Sequence, residues 1–237
     1  MSGHSKWSKI KHKKGAADKK KGLLFSRLSK QITIAARDGT DMTMNFKLRL
    51  AVDLAKQSQM PKDNIQRAVD KAAGAGVEQI ELVTYEGYGP FGTAFIIETG
   101  TDNKNRTTSE IRHTLEKNGG SLGQQNSVAW NFESKGQILV EKGSYNLQEL
   151  ELLAIDAGAE DVIGSEEGLE IYTSPINLNS IKEFLEKKGF TVASAEIIME
   201  AKNKVELKDE DKEKIQKLLE VFDENEDVIA VHTSANL

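Results

Sequence analysis

The chain of 237 residues has no cysteine. Disulfides, thiolate-held zinc, iron–sulfur clusters and thiol nucleophiles are excluded at once. Histidine is nearly as scarce: His4, His12, His113 and His232 are scattered along the chain, so no metal centre, and no cofactor that needs one, is expected. Aromatic residues make up 6%, and the cores must be built mainly from Leu, Ile, Val and Ala. No apolar run approaches the ~18 residues of a membrane span. The opening MSGHSKWSKIKHKKG lacks the apolar centre of a secretory signal. It is rich in Lys rather than Arg and shows no amphipathic period, unlike a transit peptide. A cytoplasmic location is expected. Hydrophobic residues at 38% and charged residues at 29% suit a polar globular chain rather than a disordered one.

What is present is charge, unevenly placed. The formal net charge is −5, yet residues 1–76 carry 17 Lys+Arg against 6 Asp+Glu, a net of +11, and the remainder carries −16. Within residues 1–30 there are 10 basic residues and a single acid, Asp18. Such asymmetry describes a basic arm and head on an acidic body, and an anionic partner for the arm. A charge run can be no more than a solvated tail. Trp7 argues for more, since a large ring among lysines can stack on a base, although it could also dock the arm on the protein itself.

Apolar periodicity predicts a helical head over 18–74. Leu24, Phe25, Leu28, Ile32 and Ala35 form one stripe, closed by Asp38-Gly39; Phe46, Leu50, Ala51 and Leu54 form a second; Ile65, Val69 and Ala72 form a third after Pro61, with Gly74 and Gly76 closing it. Arg27, Lys30, Arg37, Lys47, Arg49, Lys62, Arg67 and Lys71 are expected on its outer surfaces. Beyond residue 77 the pattern changes. Strands are expected at 82–88 and 93–99 around Gly89-Pro90, a helix at 103–118 capped by Asp102 or Asn103, and a strand through Val128, Trp130 and Phe132. Then come a strand at 136–142, a helix at 147–157, two short strands across 160–173, a helix at 178–188 and a strand at 190–199. That order, βαββαβ, is the ferredoxin-like arrangement. A helix at 209–224 and a strand at 228–231 end the chain.

The pieces before 133 and after 205 are each too small to fold alone. Joined, they supply four strands and two helices. The expected fold is therefore α+β in three domains: 1–76, a basic arm and helical domain; 77–133 with 206–237, a discontinuous α+β middle domain; and 134–205, an inserted ferredoxin-like domain. Both α+β domains are expected to be ferredoxin-like sandwiches with helices on one sheet face.

A search for catalytic patterns comes back empty. The chain has no P-loop, no G-x-S-x-G, no H-E-x-x-H and no zinc spacing. Glu166-Glu167 at a turn and Asp209-Glu210-Asp211 at a helix start read as solvated carboxylates, the latter favoured by the helix dipole. His113, with Arg106, Glu110 and Lys117, reads as a solvated polar helix face, with a phosphate-contacting face as the alternative. The segment TDNKNRTTSEIRHTLEKNGGSLGQQNSVAWNF at 101–132 holds more interest. Asn103, Lys104, Asn105 and Arg106 gather at a helix start, where free N–H groups can hold an anion. A flexible polar loop, Gly119 to Asn126, follows beside Trp130. Ordinary capping and turn chemistry would account for the same residues.

Four segments resemble one family: MSGHSKWSKIKHKK, MPKDNIQRAVDKAAG at 60–74, YEGYGPFG at 85–92, and TDNKNRT…EIRH…GGSLG…SVAW between 101 and 130. Together they are similar to the YebC family, also named YebC/PmpR, whose mitochondrial relative is a translational activator of cytochrome c oxidase subunit I. The resemblance spans the whole chain. It implies a three-domain α+β protein with a helical N-terminal domain. It also implies a regulator of gene expression: members are commonly described as probable DNA-binding transcriptional regulators, and others look like ribosome-associated translation factors that help elongation through consecutive prolines.

The expected function is thus a non-enzymatic nucleic-acid binder, with no catalytic, metal or cofactor residues. The expected contacts are Lys6, Trp7, Lys9, Lys11, His12, Lys13, Lys14, Lys19, Lys20, Lys21, Arg27, Lys30, Lys104, Arg106 and Arg112. Lysines are point charges suited to phosphates rather than to bidentate base reading, and the body is acidic. Ribosomal RNA is therefore favoured over duplex DNA, as a ribosome-associated translation factor, with the DNA-binding transcriptional regulator as the alternative. No membrane partner is expected.

Overall fold

The computed structural model describes residues 18–73, 80–143 and 145–237. The molecule is α+β, with a helical N-terminal region and two β-sheet regions. It divides into a larger unit, Ala16–Glu133 with Glu200–Leu237, and a smaller one, Ser134–Met199.

The larger unit begins with three helices, α1 (Asp18–Ala36), α2 (Phe46–Gln57) and α3 (Lys62–Ala73). Leu28, Ile32 and Ala36 of α1 meet Leu48, Val52 and Ala55 of α2 and Ile65 and Ala68 of α3 in one apolar core. The buried stripe of α2 is rotated from the expected one: Leu48, Val52 and Ala55 are buried, while Phe46 and Leu50 are only half-buried. Asn45 sets this rotation. It caps α2 by accepting from Leu48 N–H, and its amide donates to the carbonyls of Ala35 and Gly39, so the helix start is fixed against the end of α1. Pro61 precedes the third helix and accepts from the N–H groups of Asn64 and Ile65. Gly74 and Gly76 lie outside the described residues.

A four-stranded antiparallel sheet follows. β1 (Glu81–Tyr88) pairs with β2 (Ala94–Thr101) across a 3₁₀ turn at Pro90–Gly92, and the chain then enters α4 (Lys104–Lys117) and the two-residue β3 (Ser121–Leu122). After the smaller unit come β8 (Val205–Glu206), α7 (Asp209–Asp223), β9 (Val228–Thr233) and β10 (Ala235–Asn236). The sheet order is β3-β1-β2-β9, and β8 pairs with β10 in a separate parallel ladder. Tyr85, Phe95 and Ile97 project to one face and pack on Ile111 and Leu115 of α4 and Ile215, Leu218 and Phe222 of α7.

The alternation Val128-Trp130-Phe132 does not make a strand. Ala129–Asn131 forms a 3₁₀ turn, and the third strand of the sheet is Ser121–Leu122, inside the segment expected to be a loop. The physical reason is Glu86. Its carboxylate accepts from the N–H groups of Asn126, Val128 and Ala129 at 2.7, 2.8 and 2.8 Å, which turns that backbone inward instead of along a neighbouring strand.

The smaller unit is built from β4 (Phe132–Glu141), α5 (Leu147–Asp156), β5 (Asp161–Gly164), β6 (Gly168–Thr173), α6 (Leu178–Lys187) and β7 (Val192–Ala201). Its sheet order, β5-β6-β4-β7, is that of a ferredoxin-like βαββαβ unit. Ile138, Val140, Leu169 and Ile171 are buried, as are Leu150, Ala154, Ile181 and Leu185 of its helices. On the alternate positions Gln137, Glu170 and Tyr172 are buried together, with Tyr172 donating to Glu170 at 2.9 Å and Gln137 donating to Tyr172 at 3.2 Å.

Candidate nucleic-acid interface

α1 carries the first described basic residues. Lys19 and Lys20 lie in its first turn and Lys21 is exposed. Lys6, Trp7, Lys9, Lys11, His12, Lys13 and Lys14 lie outside the described residues.

Arg27 and Lys30 do not face outward as expected. One helical turn apart on α1, they point into the turn between α7 and β9. Arg27 pairs with Asp223 at 3.2 Å and donates to the carbonyls of Phe222 and Asn225. Lys30 donates to Asp227 at 2.7 Å and to the Glu226 carbonyl at 3.0 Å. Asp227 is the hub. Its other oxygen accepts from Arg106 at 2.9 Å and from the Thr107 hydroxyl at 2.6 Å. Arg106 also holds Asp102 at 2.9 Å. The Asp227 side chain is only 7% exposed. Burial alone would push its carboxyl up, but hydrogen bonds from Arg106, Lys30 and Thr107, with the charge of Lys30, hold it down at about 2. The hydrogen bond to Asp227, then that to Asp102, raises the Arg106 guanidinium still further.

This joint lines a cleft of about 570 Å³ between the helical head and the sheet, with Lys30, Lys71 and Arg106 facing Asp102, Glu110 and Asp227. With Glu224 and Glu226 also in its lining, acids outnumber bases, so the cleft does not resemble a phosphate cradle. Lys104 and Arg112 remain exposed on α4, and Asn103 caps that helix by accepting from Arg106 N–H. Among the described residues, no three His, Asp or Glu side chains gather as metal ligands, and no helix is long and apolar enough to cross a membrane.

The second constructed feature is the loop from Gly119 to Asn131. Glu86, 8% exposed on β1, holds it through the three N–H bonds described above, and the Glu86 carbonyl accepts from Gly123 N–H at 2.8 Å. Burial pushes the Glu86 carboxyl up, and the N–H groups of Val128, Asn126 and Ala129 more than reverse this, leaving it below the ordinary range. At Gly120 a Cβ would stand 2.3 Å from the Tyr88 carbonyl oxygen, so this close approach of two backbones requires glycine. Sequence reasoning missed Glu86, Tyr88 and Asp227. Glu86 sits in an alternating strand like any solvent-facing carboxylate. Asp227 looks like one more acid in an acidic tail, and its partners lie up to 197 residues away.

Comparison with known proteins matches the chain in two segments, the helical head and everything after it. Residues 5–75 match the TACO1/YebC protein N-terminal domain, and residues 80–235 match the TACO1/YebC second and third domain. A probable transcriptional regulatory protein of Thermoanaerobacter pseudethanolicus is 48% identical over 240 residues, covering 100% of this chain and 98% of the relative. One from Dictyoglomus thermophilum is 50% identical over 233 residues, covering 96% and 93%. The crystal structure of a conserved hypothetical protein from Aquifex aeolicus superposes with a TM-score of 0.85 at 42% identity, covering 92% of this chain and 91% of that one.

Proposed function

The chain belongs to the TACO1/YebC family, and on that premise we propose that it is a non-enzymatic, nucleic-acid-binding regulator of gene expression. The observation that carries this reading is the separation of charge, +11 in residues 1–76 and −16 in the rest. A body of that sign repels phosphates on most faces, so contact is directed to the basic end. Arg27, Lys30 and Arg106 are engaged by carboxylates at the joint. The phosphate-contacting role therefore falls on Lys6, Lys9, Lys11, His12, Lys13, Lys14, Lys19, Lys20 and Lys21, with Trp7 among them, and on Lys104 and Arg112 of α4. The relatives' names favour transcription, hence duplex DNA, as the level of control.

A second reading, a translation factor on ribosomal RNA, is favoured by one observation. The arm is built of lysines, with Arg27 the only arginine in residues 1–30. Lysine neutralises phosphate but lacks the fork that reads guanine edges.

One experiment separates the two. A promoter binder holds one duplex sequence about 10³-fold or more tighter than random duplex. An RNA binder shows little duplex preference, loses duplex DNA at physiological salt and co-sediments with ribosomes through the arm. A footprint on one duplex site that survives excess random DNA selects the first reading, and co-sedimentation lost on deleting residues 1–21 selects the second. A chain that binds neither is not a nucleic-acid regulator.

A further inference from the structure

Two aromatic rings on the larger unit stand in solvent beside a backbone that cannot move away from them. Trp130 is 67% exposed and Tyr88 is 44% exposed, in a protein where aromatics are few and Phe95 and Phe222 are buried. Their polar tips meet: the Trp130 indole N–H and the Tyr88 hydroxyl both donate to the Ser127 carbonyl, at 3.0 and 3.1 Å. That carbonyl has two lone pairs and both are used. Neither ring can turn inward without losing its bond.

Each ring is also held from behind. Tyr88 ends β1, paired with Ala94 on one side and Ser121 on the other. Trp130 sits in the 3₁₀ turn whose first residue, Ala129, is bonded to Glu86. On the other side the Asn131 side chain accepts from Asn203 N–H at 3.0 Å and donates to the Asn203 carbonyl at 3.1 Å, and the Asn131 carbonyl accepts from Lys202 N–H at 2.7 Å. The rim is polar and basic. The Lys202 ammonium donates to the Trp130 carbonyl at 3.3 Å, and Gln124, Gln125 and Asn126 are exposed.

We infer that Tyr88 and Trp130 form a stacking platform for an unpaired base of single-stranded nucleic acid, with Lys202 beside the phosphate and the amides of residues 124–126 along the base edge. A fixed ring in water gives a base a flat apolar surface without an ordering cost, and every base has a face to place on it. A base inside an intact duplex has no free face to offer, so the platform selects unpaired strands. This inference rests on the nucleic-acid reading above and adds a second contact region, on the acidic body, to the basic arm.

The test uses the full chain and three labelled probes: a single-stranded RNA of about 12 nucleotides, the same sequence as single-stranded DNA, and the DNA duplex. Trp130→Ala is expected to raise Kd for a single strand by roughly 5- to 150-fold while leaving duplex affinity within about twofold, and Trp130→Phe is expected to keep most of the affinity. Trp7 and Trp130 are the two tryptophans of the chain. In a Trp7→Phe background, therefore, single strands should quench the remaining emission and duplex should not. RNA and DNA arms that differ identify which strand is the ligand. Unchanged single-strand affinity in Trp130→Ala, or Trp130 emission indifferent to single strands that do bind, overturns the platform and leaves the arm's role standing. Failure of the unmodified chain to bind any of the three probes overturns the nucleic-acid reading and the platform with it.

Discussion

Asp227 accepts from Lys30, Arg106 and Thr107 while shielded from water. Its carboxyl titrates at about 2 when folded, against an ordinary value of 3.8. A depressed carboxyl contributes stability that is complete above its unfolded value and is lost as pH falls through its folded one. Acid should therefore weaken the protein between pH ~4 and ~2, with about 2 kcal/mol at stake from this side chain. Asp227→Asn should lower stability at pH 7 and flatten that acid limb, measured by denaturant melts across the range. Glu86 is depressed in the same direction by three N–H donors. Its stabilisation is present above the ordinary glutamate range and fades as pH falls below it. Glu86→Gln puts an amide N–H₂ against those donors and should cost about 2–3 kcal/mol. It should also shift the emission of Trp130, since the turn that carries the ring loses its anchor.

At the scale of elements, caps decide more than stripes. Asn45 is 8% exposed and satisfies one N–H and two carbonyls at the α1–α2 corner. Asn45→Ala removes the cap and leaves both carbonyls without that donor, so it should cost about 2–3 kcal/mol by chemical denaturation. Asn45→Asp retains the cap acceptor, loses the amide donor and should fall between the two. The helices were legible in sequence because apolar residues at three- and four-residue spacing must bury one face. The βαββαβ order was legible for the same reason, its short elements being bounded by glycine turns. Ala129–Asn131 was not legible: Val128 and Phe132 alternate with Trp130 as a strand would, and only the distant carboxylate of Glu86 makes that backbone turn. Arg27 and Lys30 looked like outer-surface cations because their carboxylate partners come from the far end of the chain. Pattern along a chain reports periodicity well and long-range polar pairing poorly.

For the whole molecule, we propose the domain limits 1–76, 77–133 with 206–237, and 134–205. The middle sheet needs β9 and α7 for its edge strand and half of its helical cover. A fragment of residues 77–133 should show no cooperative melt, whereas one of residues 134–205 should, because it holds both helices of its sheet and all but the first two residues of its four strands. A sharp transition in 77–133 would overturn these limits. Affinity for nucleic acid should fall with salt at a log–log slope of roughly −0.7 to −0.9 per phosphate contacted, and deletion of residues 1–21 should flatten it. An unchanged slope would place the phosphate contacts elsewhere.

The joint between α1 and the turn after α7 has a consequence in time. Arg27 and Asp223 are 196 residues apart. At about 5–20 residues per second, synthesis separates their appearance by roughly 10–40 seconds. For that interval the emerging head displays Arg27 and Lys30 with no carboxylate across from them. The nascent head is therefore more basic at this joint than the finished one, and the segment that carries Asp223 and Asp227 is the one that quenches it.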